Sequence, residues 1–198
     1  FIPKTAYKNL YLLQNFGDQQ FLNSRPVVAD VQLPGFSIDD DEWRTVLVGG
    51  FRNGGRGYYA MDITNPAKPF VLWEIDHQWQ PWKSDLKYPS VYEESDVSIS
   101  AAIQNRTNLK NETGYPFQLM GYSYAEPVIT NMLIDGQVQP VAILAGGHSA
   151  SENVEFDMVG RALYIVKLFP KSKEDLLVKT FYFDEAITGT PEVYPNNF

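Results

Sequence analysis

Cysteine is absent from the 198 residues. That excludes disulfides, thiol nucleophiles and cysteine-ligated zinc or iron–sulfur sites. It leaves the redox compartment open. Histidine is almost absent: His77 and His148 are the only two, too few for a multi-histidine metal centre. Cations are scarce beside anions. Sixteen Lys and Arg against 24 Asp and Glu give a formal charge of −8. This argues against nucleic-acid binding, which needs clustered basic side chains. No apolar run reaches the roughly 18 residues of a membrane-spanning helix, and no basic start leads into an apolar stretch as in a signal peptide. No membrane insertion is therefore expected of this segment. Phe1 stands where a complete chain would carry Met, so a longer or processed parent is expected.

Aromatic residues, by contrast, make up 14%, beside 14 Gly and 13 Pro. This is the composition of a β-rich fold with many turns. The length suits about one domain of ~150 residues or slightly more. Four short strands are expected over 26–31, 43–51, 57–63 and 70–76. Loops at 33–42, 53–57 and 64–69 separate them, and Asn53-Gly54 is a strong hairpin dipeptide. The same grammar returns over 126–133, 139–147, 161–168 and 176–183, with a turn at Asp135-Gly136. In both units the second strand ends in a glycine pair, Gly49-Gly50 and Gly146-Gly147. Repeated four-stranded meanders suit β-propeller blades. Two sheets of a sandwich would show the same alternation. The simple meander order and the shared glycine pair favour the propeller, because a sandwich usually needs a crossover.

The expected division is 1–24, the end of a preceding blade with a short helix; 25–76, a first blade; and 77–120, an inserted surface excursion. A second blade over 121–183 and the start of another blade or a tail over 184–198 complete it. The fold class is all-β: about two antiparallel meander blades with partial neighbours.

Residues 25–75 carry RPVVADV, then WRTVLVGGFRNGGRGYYAMDITNPAKPFVLWEI. This string closely resembles the C-terminal β-propeller of the PilY/PilC family of type IV pilus biogenesis proteins. FIPKTAYKNLYLL (1–13) and GYSYAEPVI (121–129) are similar to the flanking family segments, whereas 77–120 and 184–198 depart from the pattern. The resemblance implies a non-catalytic binding scaffold at the bacterial cell surface, pilus tip or outer membrane. It would act in pilus assembly, adhesion and surface sensing, exported by a signal peptide outside this segment. Implied partners are pilin or minor pilins at the pilus tip, the remaining blades of the propeller, and a host or abiotic surface. The family propeller is quinoprotein-like: Ala60, Asp62 and Trp73 match a blade motif whose Trp docks between neighbouring blades. Asn65-Pro66 replaces its usual Thr-Gly.

The enzyme alternative, a quinone-dependent dehydrogenase propeller, would need vicinal cysteines or a cofactor-facing cluster of Arg, Lys, Asp and Asn. The first is excluded. A secreted propeller unrelated to pili is the third reading. No catalytic, cofactor or metal residue is assigned. Asp39-Asp40-Asp41-Glu42 lacks the alternating ligands and central Gly of a calcium loop. The family's D-x-D-x-D string is absent, so any calcium is expected elsewhere in the parent. Gly54-Gly55-Arg56-Gly57 lacks the Lys-Ser/Thr of a phosphate loop. His148, near Ser149, Ser151 and Asp157, lacks a nucleophile elbow and reads as an exposed loop residue. Asn105 and Asn111 head formal glycosylation sequons, which mark a polar, exposed stretch. Trp79, Trp82, Tyr88 and Tyr92 are the candidate partner contacts. They either anchor the insertion or form a contact surface, since Trp and Tyr dominate binding hot spots.

Overall fold

The computed structural model describes residues 2–7, 22–33, 43–77, 116–149 and 159–192. A single helical turn, α1 (Lys4–Tyr7), comes first. Two four-stranded sheets follow. The first runs β1 (Val27–Gln32), β2 (Trp43–Gly50), β3 (Gly57–Asp62), β4 (Phe70–Asp76). The second runs β5 (Val128–Ile134), β6 (Gln137–Ala145), β7 (Ala162–Lys167), β8 (Leu177–Tyr182). In each sheet the spatial order equals the chain order, and every pair is antiparallel. The fold is all-β, as composition and meander grammar predicted. Asp135 and Gly136 both have positive φ, 51° and 76°, and join Ile134 to its partner Gln137. This is the geometry of a two-residue type I′ hairpin.

The ladders decide how the sheets correspond. Val27 pairs with Val48 in the first sheet, and Val128 pairs with Ile143 in the second. Val48 then meets Ala60, and Ile143 meets Ile165. Directly after Ala60, and directly after Ile165, the pairing with the fourth strand slips. The two bulges thus fall at the same place. By pairing, Val48 corresponds to Ile143 and the Gly49-Gly50 pair to Leu144-Ala145. The glycine pairs themselves stand two residues out of register. The cause is that cross-strand hydrogen bonds fix register, whereas Gly146-Gly147 serves the loop beyond β6.

Corresponding faces point the same way around the stack. Val46, Val48, Tyr58, Ala60, Trp73 and Ile75 bury one face of the first sheet against Ala142, Leu144, Ala162, Tyr164 and Val166 of the second. Ile143 and Ile165, the counterparts of Val48 and Ala60, lie on the opposite face of the second sheet with Val141. The packing is therefore head to tail. A two-fold sandwich would bring equivalent faces together, whereas head-to-tail contacts repeat and close into rings. Between the sheets the broadest backbone approach is at the first strands, β1 and β5, as expected of wedge-like blades around an axis. Trp73 seals this interface. It is 7% exposed, and its Nε1 donates to the Lys167 carbonyl at 3.0 Å. The Tyr58 hydroxyl donates to the Ala145 carbonyl at 3.2 Å.

Residues 116–120 differ from the expected surface excursion. Phe117, Leu119 and Met120 are buried in the main core, and Phe117 packs on Tyr164 with ring centroids 5.1 Å apart. The Tyr164 hydroxyl is buried with no hydrogen-bond partner among the described residues. Burial, chiefly, pushes its pKa well above the ordinary tyrosine value. An unsatisfied buried hydroxyl costs about 1–3 kcal/mol. Tyr164→Phe is therefore expected to raise stability by about 1 kcal/mol, read as a higher urea midpoint at unchanged slope; a lower midpoint contradicts this accounting.

Candidate functional site

At the end of the sheets where β2, β6 and the start of β3 meet, three chain segments converge. They are the β2–β3 loop, the segment 120–124 leading towards β5, and residues 146–149 after β6. The β2–β3 loop is not the Asn-Gly hairpin expected from sequence. Residues Arg52–Gly54 form a 3-10 turn, and the left-handed residue is Arg52, at φ 53°. The physical reason lies some seventy residues away. The buried Ser123 hydroxyl accepts from the backbone N–H of Phe51 at 2.7 Å and of Arg52 at 3.2 Å. It donates to the Gly57 carbonyl at 2.7 Å. One side chain thus holds both ends of the loop. Gly50 makes this possible, because a Cβ there would lie 2.7 Å from the Ser123 Oγ.

Arg56 ties the loop to the same segment. Its Nε donates to the Met120 carbonyl at 2.7 Å, and its Nη2 to the Gln118 carbonyl at 3.2 Å. On the other side, Tyr122 and His148 exchange backbone hydrogen bonds of 2.8 and 2.9 Å. Gly147 has φ 91°, and a Cβ there would lie 2.5 Å from the Tyr122 carbonyl oxygen. Only glycine suits both demands.

This rigid frame presents an exposed group. The Arg52 guanidinium lies 5.4 Å from the Tyr124 ring centroid, within cation–π range. The His148 ring meets Tyr124 edge-on at 5.9 Å. The Tyr124 hydroxyl donates to Asn53 Oδ1. Asn53, Tyr122, Tyr124 and His148 line a cleft of about 350 Å³. A second groove, of about 360 Å³ and lined by Leu33, Arg44, Asp62, Phe70, Leu72 and Phe169, includes the Arg44–Asp62 ion pair at 3.5 Å.

His148 is exposed, as the sequence suggested. Arg52, Tyr122 and Tyr124 were not singled out from sequence, because no local pattern joins them. Trp79, Trp82, Tyr88 and Tyr92 lie outside the described residues, as do Asp39–Glu42, Asn105, Asn111, Ser151 and Asp157. Among the described residues, no group of three or more His, Asp or Glu is placed to hold a metal ion. The phenols of Tyr58 and Tyr59 are raised above their ordinary values by burial. Asp175 is held below the ordinary carboxylate value, first by its hydrogen bond from Lys167 and then by the Lys171 backbone N–H. The Lys167 Nζ–Asp175 Oδ1 distance is 2.5 Å. The stabilisation from this lowered pKa is present above the ordinary carboxylate pKa. It is lost as pH falls through the lowered one.

Two four-stranded meanders stacked head to tail define a pair of β-propeller-type blades. No family model matches the chain. Over 93 residues it is 38% identical to the type IV pilus biogenesis factor PilY1 of Pseudomonas aeruginosa strain PAO1, a match covering 44% of this chain and 7% of that protein. Over 111 residues it is 30% identical to a type IV pilus biogenesis factor PilY1 homolog of Xylella fastidiosa, covering 54% of this chain and 9% of that protein. The chain thus spans under a tenth of these relatives' length. These relatives are PilY1 proteins, in keeping with the family resemblance of residues 25–75. Among solved structures, the Pseudomonas aeruginosa PilY1 C-terminal domain is similar at TM-score 0.49 and 21% identity, covering 92% of this chain and 25% of that one.

Proposed function

We propose that this chain is a non-catalytic part of a type IV pilus biogenesis factor, a propeller segment acting in pilus assembly, adhesion and surface sensing. The observation carrying the proposal is the 38% identity to PilY1 over 93 residues. Its partners are pilin or minor pilins at the pilus tip, the remaining blades of the same propeller, and a host or abiotic surface. It works at the bacterial cell surface, pilus tip or outer membrane, after export by a signal peptide outside this segment.

The head-to-tail packing supports the blade partnership. Val141, Ile143 and Ile165 with Val128, Met132 and Leu163 form an apolar face turned away from the first sheet. On the far side of the first sheet, Val28 is 52% and Trp43 55% exposed. Each face corresponds to one that is buried between the two sheets; Val141, Ile143 and Ile165 are already buried, whereas the open Val28 and Trp43 face fits a further blade. The test is to delete this segment from the parent gene and count surface pili by electron microscopy beside twitching-zone diameter. Loss of both, restored by the intact gene in trans, is the expected result. Normal piliation and twitching in the deletion strain would remove the pilus reading.

A further inference from the structure

We propose that Asn53-Gly54 is a latent deamidation site: the closed β2–β3 loop keeps it unreactive, and opening of that loop lets Asn53 pass to aspartate and isoaspartate. The site is independent of the pilus reading.

Asn53-Gly54 is the one Asn-Gly dipeptide in the chain. Asn amides are thermally labile, most of all before glycine, which has no side chain to shield its backbone nitrogen. The Gly54 nitrogen loses its proton and attacks Asn53 Cγ. A C–N bond forms, the Cγ–Nδ2 bond breaks, and ammonia leaves with that nitrogen. The resulting five-membered succinimide takes up one water. Opening at one carbonyl gives aspartate, and opening at the other gives isoaspartate. Solvent water is the only co-reactant.

The structure blocks each requirement of this ring closure. Attack needs a free Gly54 nitrogen, yet Gly54 is buried and its N–H donates to the Phe51 carbonyl at 2.9 Å. Attack needs rotation of the Asn53 backbone, yet Arg52–Gly54 is a closed 3-10 turn. The Asn53 N–H donates to Asn23 Oδ1 at 3.3 Å, and the Gly55 N–H to the Arg52 carbonyl at 3.4 Å. Attack also needs the side-chain amide to swing towards Gly54, yet Asn53 Oδ1 accepts from the Tyr124 hydroxyl. Around the turn, the Ser123 hydroxyl holds Phe51, Arg52 and Gly57. Asn53 itself is exposed, so water is at hand once the turn opens. A local opening of the loop, well short of global unfolding, is therefore what stands between the dipeptide and its reaction.

The isoaspartate product cannot re-form the same turn. It adds one carbon to the main chain between residue 53 and Gly54, inside the ring closed by the Gly54–Phe51 hydrogen bond. The modification thus makes permanent an opening that otherwise reverses.

The experiment incubates the full-length protein at mildly alkaline pH, with and without urea, and follows residue 53 by peptide mass spectrometry. Deamidation in the native protein is expected to be at least about tenfold slower than in urea. Ser123→Ala is expected to recover most of the rate seen in urea. Tyr124 is 39% exposed, so Tyr124→Phe leaves the core intact. It is expected to speed the reaction about threefold, the worth of one hydrogen bond, at an unchanged melting midpoint. Equal rates in the native protein and in urea, no reaction even in urea, or wild-type rates in both variants would overturn the assignment.

Discussion

Trp73→Ala is expected to lower the unfolding free energy by about 3–5 kcal/mol, the usual cost of removing a buried Trp. Trp73 sits in the core between the two sheets at 7% exposure, among residues contributed by both. Its loss removes apolar surface and opens a void where β7 cannot close up, because β7 is held on both sides by β6 and β8. It also leaves the Lys167 carbonyl without the indole N–H. Trp73→Phe separates these contributions. It keeps most of the packing and loses the hydrogen bond, for an expected cost of about 1–2 kcal/mol. Urea unfolding of the full-length protein and both variants reads the difference. A loss below 1 kcal/mol for Trp73→Ala would mean that the sheets do not depend on one another.

Ser123→Ala comes next, with an expected loss of about 2–4 kcal/mol from orphaning buried groups. The hydroxyl satisfies the N–H groups of Phe51 and Arg52 and the carbonyl of Gly57. Phe51 is 1% exposed, so water cannot replace the lost partner without disturbing the core. The substitution also frees Arg52 from its left-handed conformation. The β2–β3 loop should therefore exchange its amide hydrogens faster while β5–β8 keep their protection. Hydrogen exchange resolved by segment checks this. Unchanged protection at residues 51–57 would show that the loop holds its own shape.

The strands were legible because each is a short apolar run closed by turn residues, and a meander needs no long-range information to order its strands. Asp135-Gly136 behaved as its dipeptide suggests, since nothing else competes for its backbone. Asn53-Gly54 did not. A distant serine captures the donors of the loop and moves the left-handed position to Arg52. The repeat was legible, but aligning it on glycine pairs put it two residues out, because those glycines answer to loop packing and not to the ladder. Phe117 and Met120 escape notice because they close a stretch that is otherwise rich in Asn, Thr and Ser, although residues 116–120, PFQLM, are themselves largely apolar. The cleft was the least visible element. Arg52, Tyr124 and His148 belong to three separate segments, and only the stacking of one sheet on the next brings them together.

A propeller requires that stacking to continue beyond these two sheets. If these sheets are two consecutive blades, the outer face of the first must be covered in the intact protein. Trp43, 55% exposed here, marks that face, and this segment offers no native thiol to interfere. The measurement is the rate of maleimide labelling of Trp43→Cys in the full-length protein, any native cysteines elsewhere replaced, against the same protein in urea. Labelling slowed by at least about a hundredfold, roughly 3 kcal/mol of protection, is the predicted result. Labelling as fast as in urea would contradict the propeller.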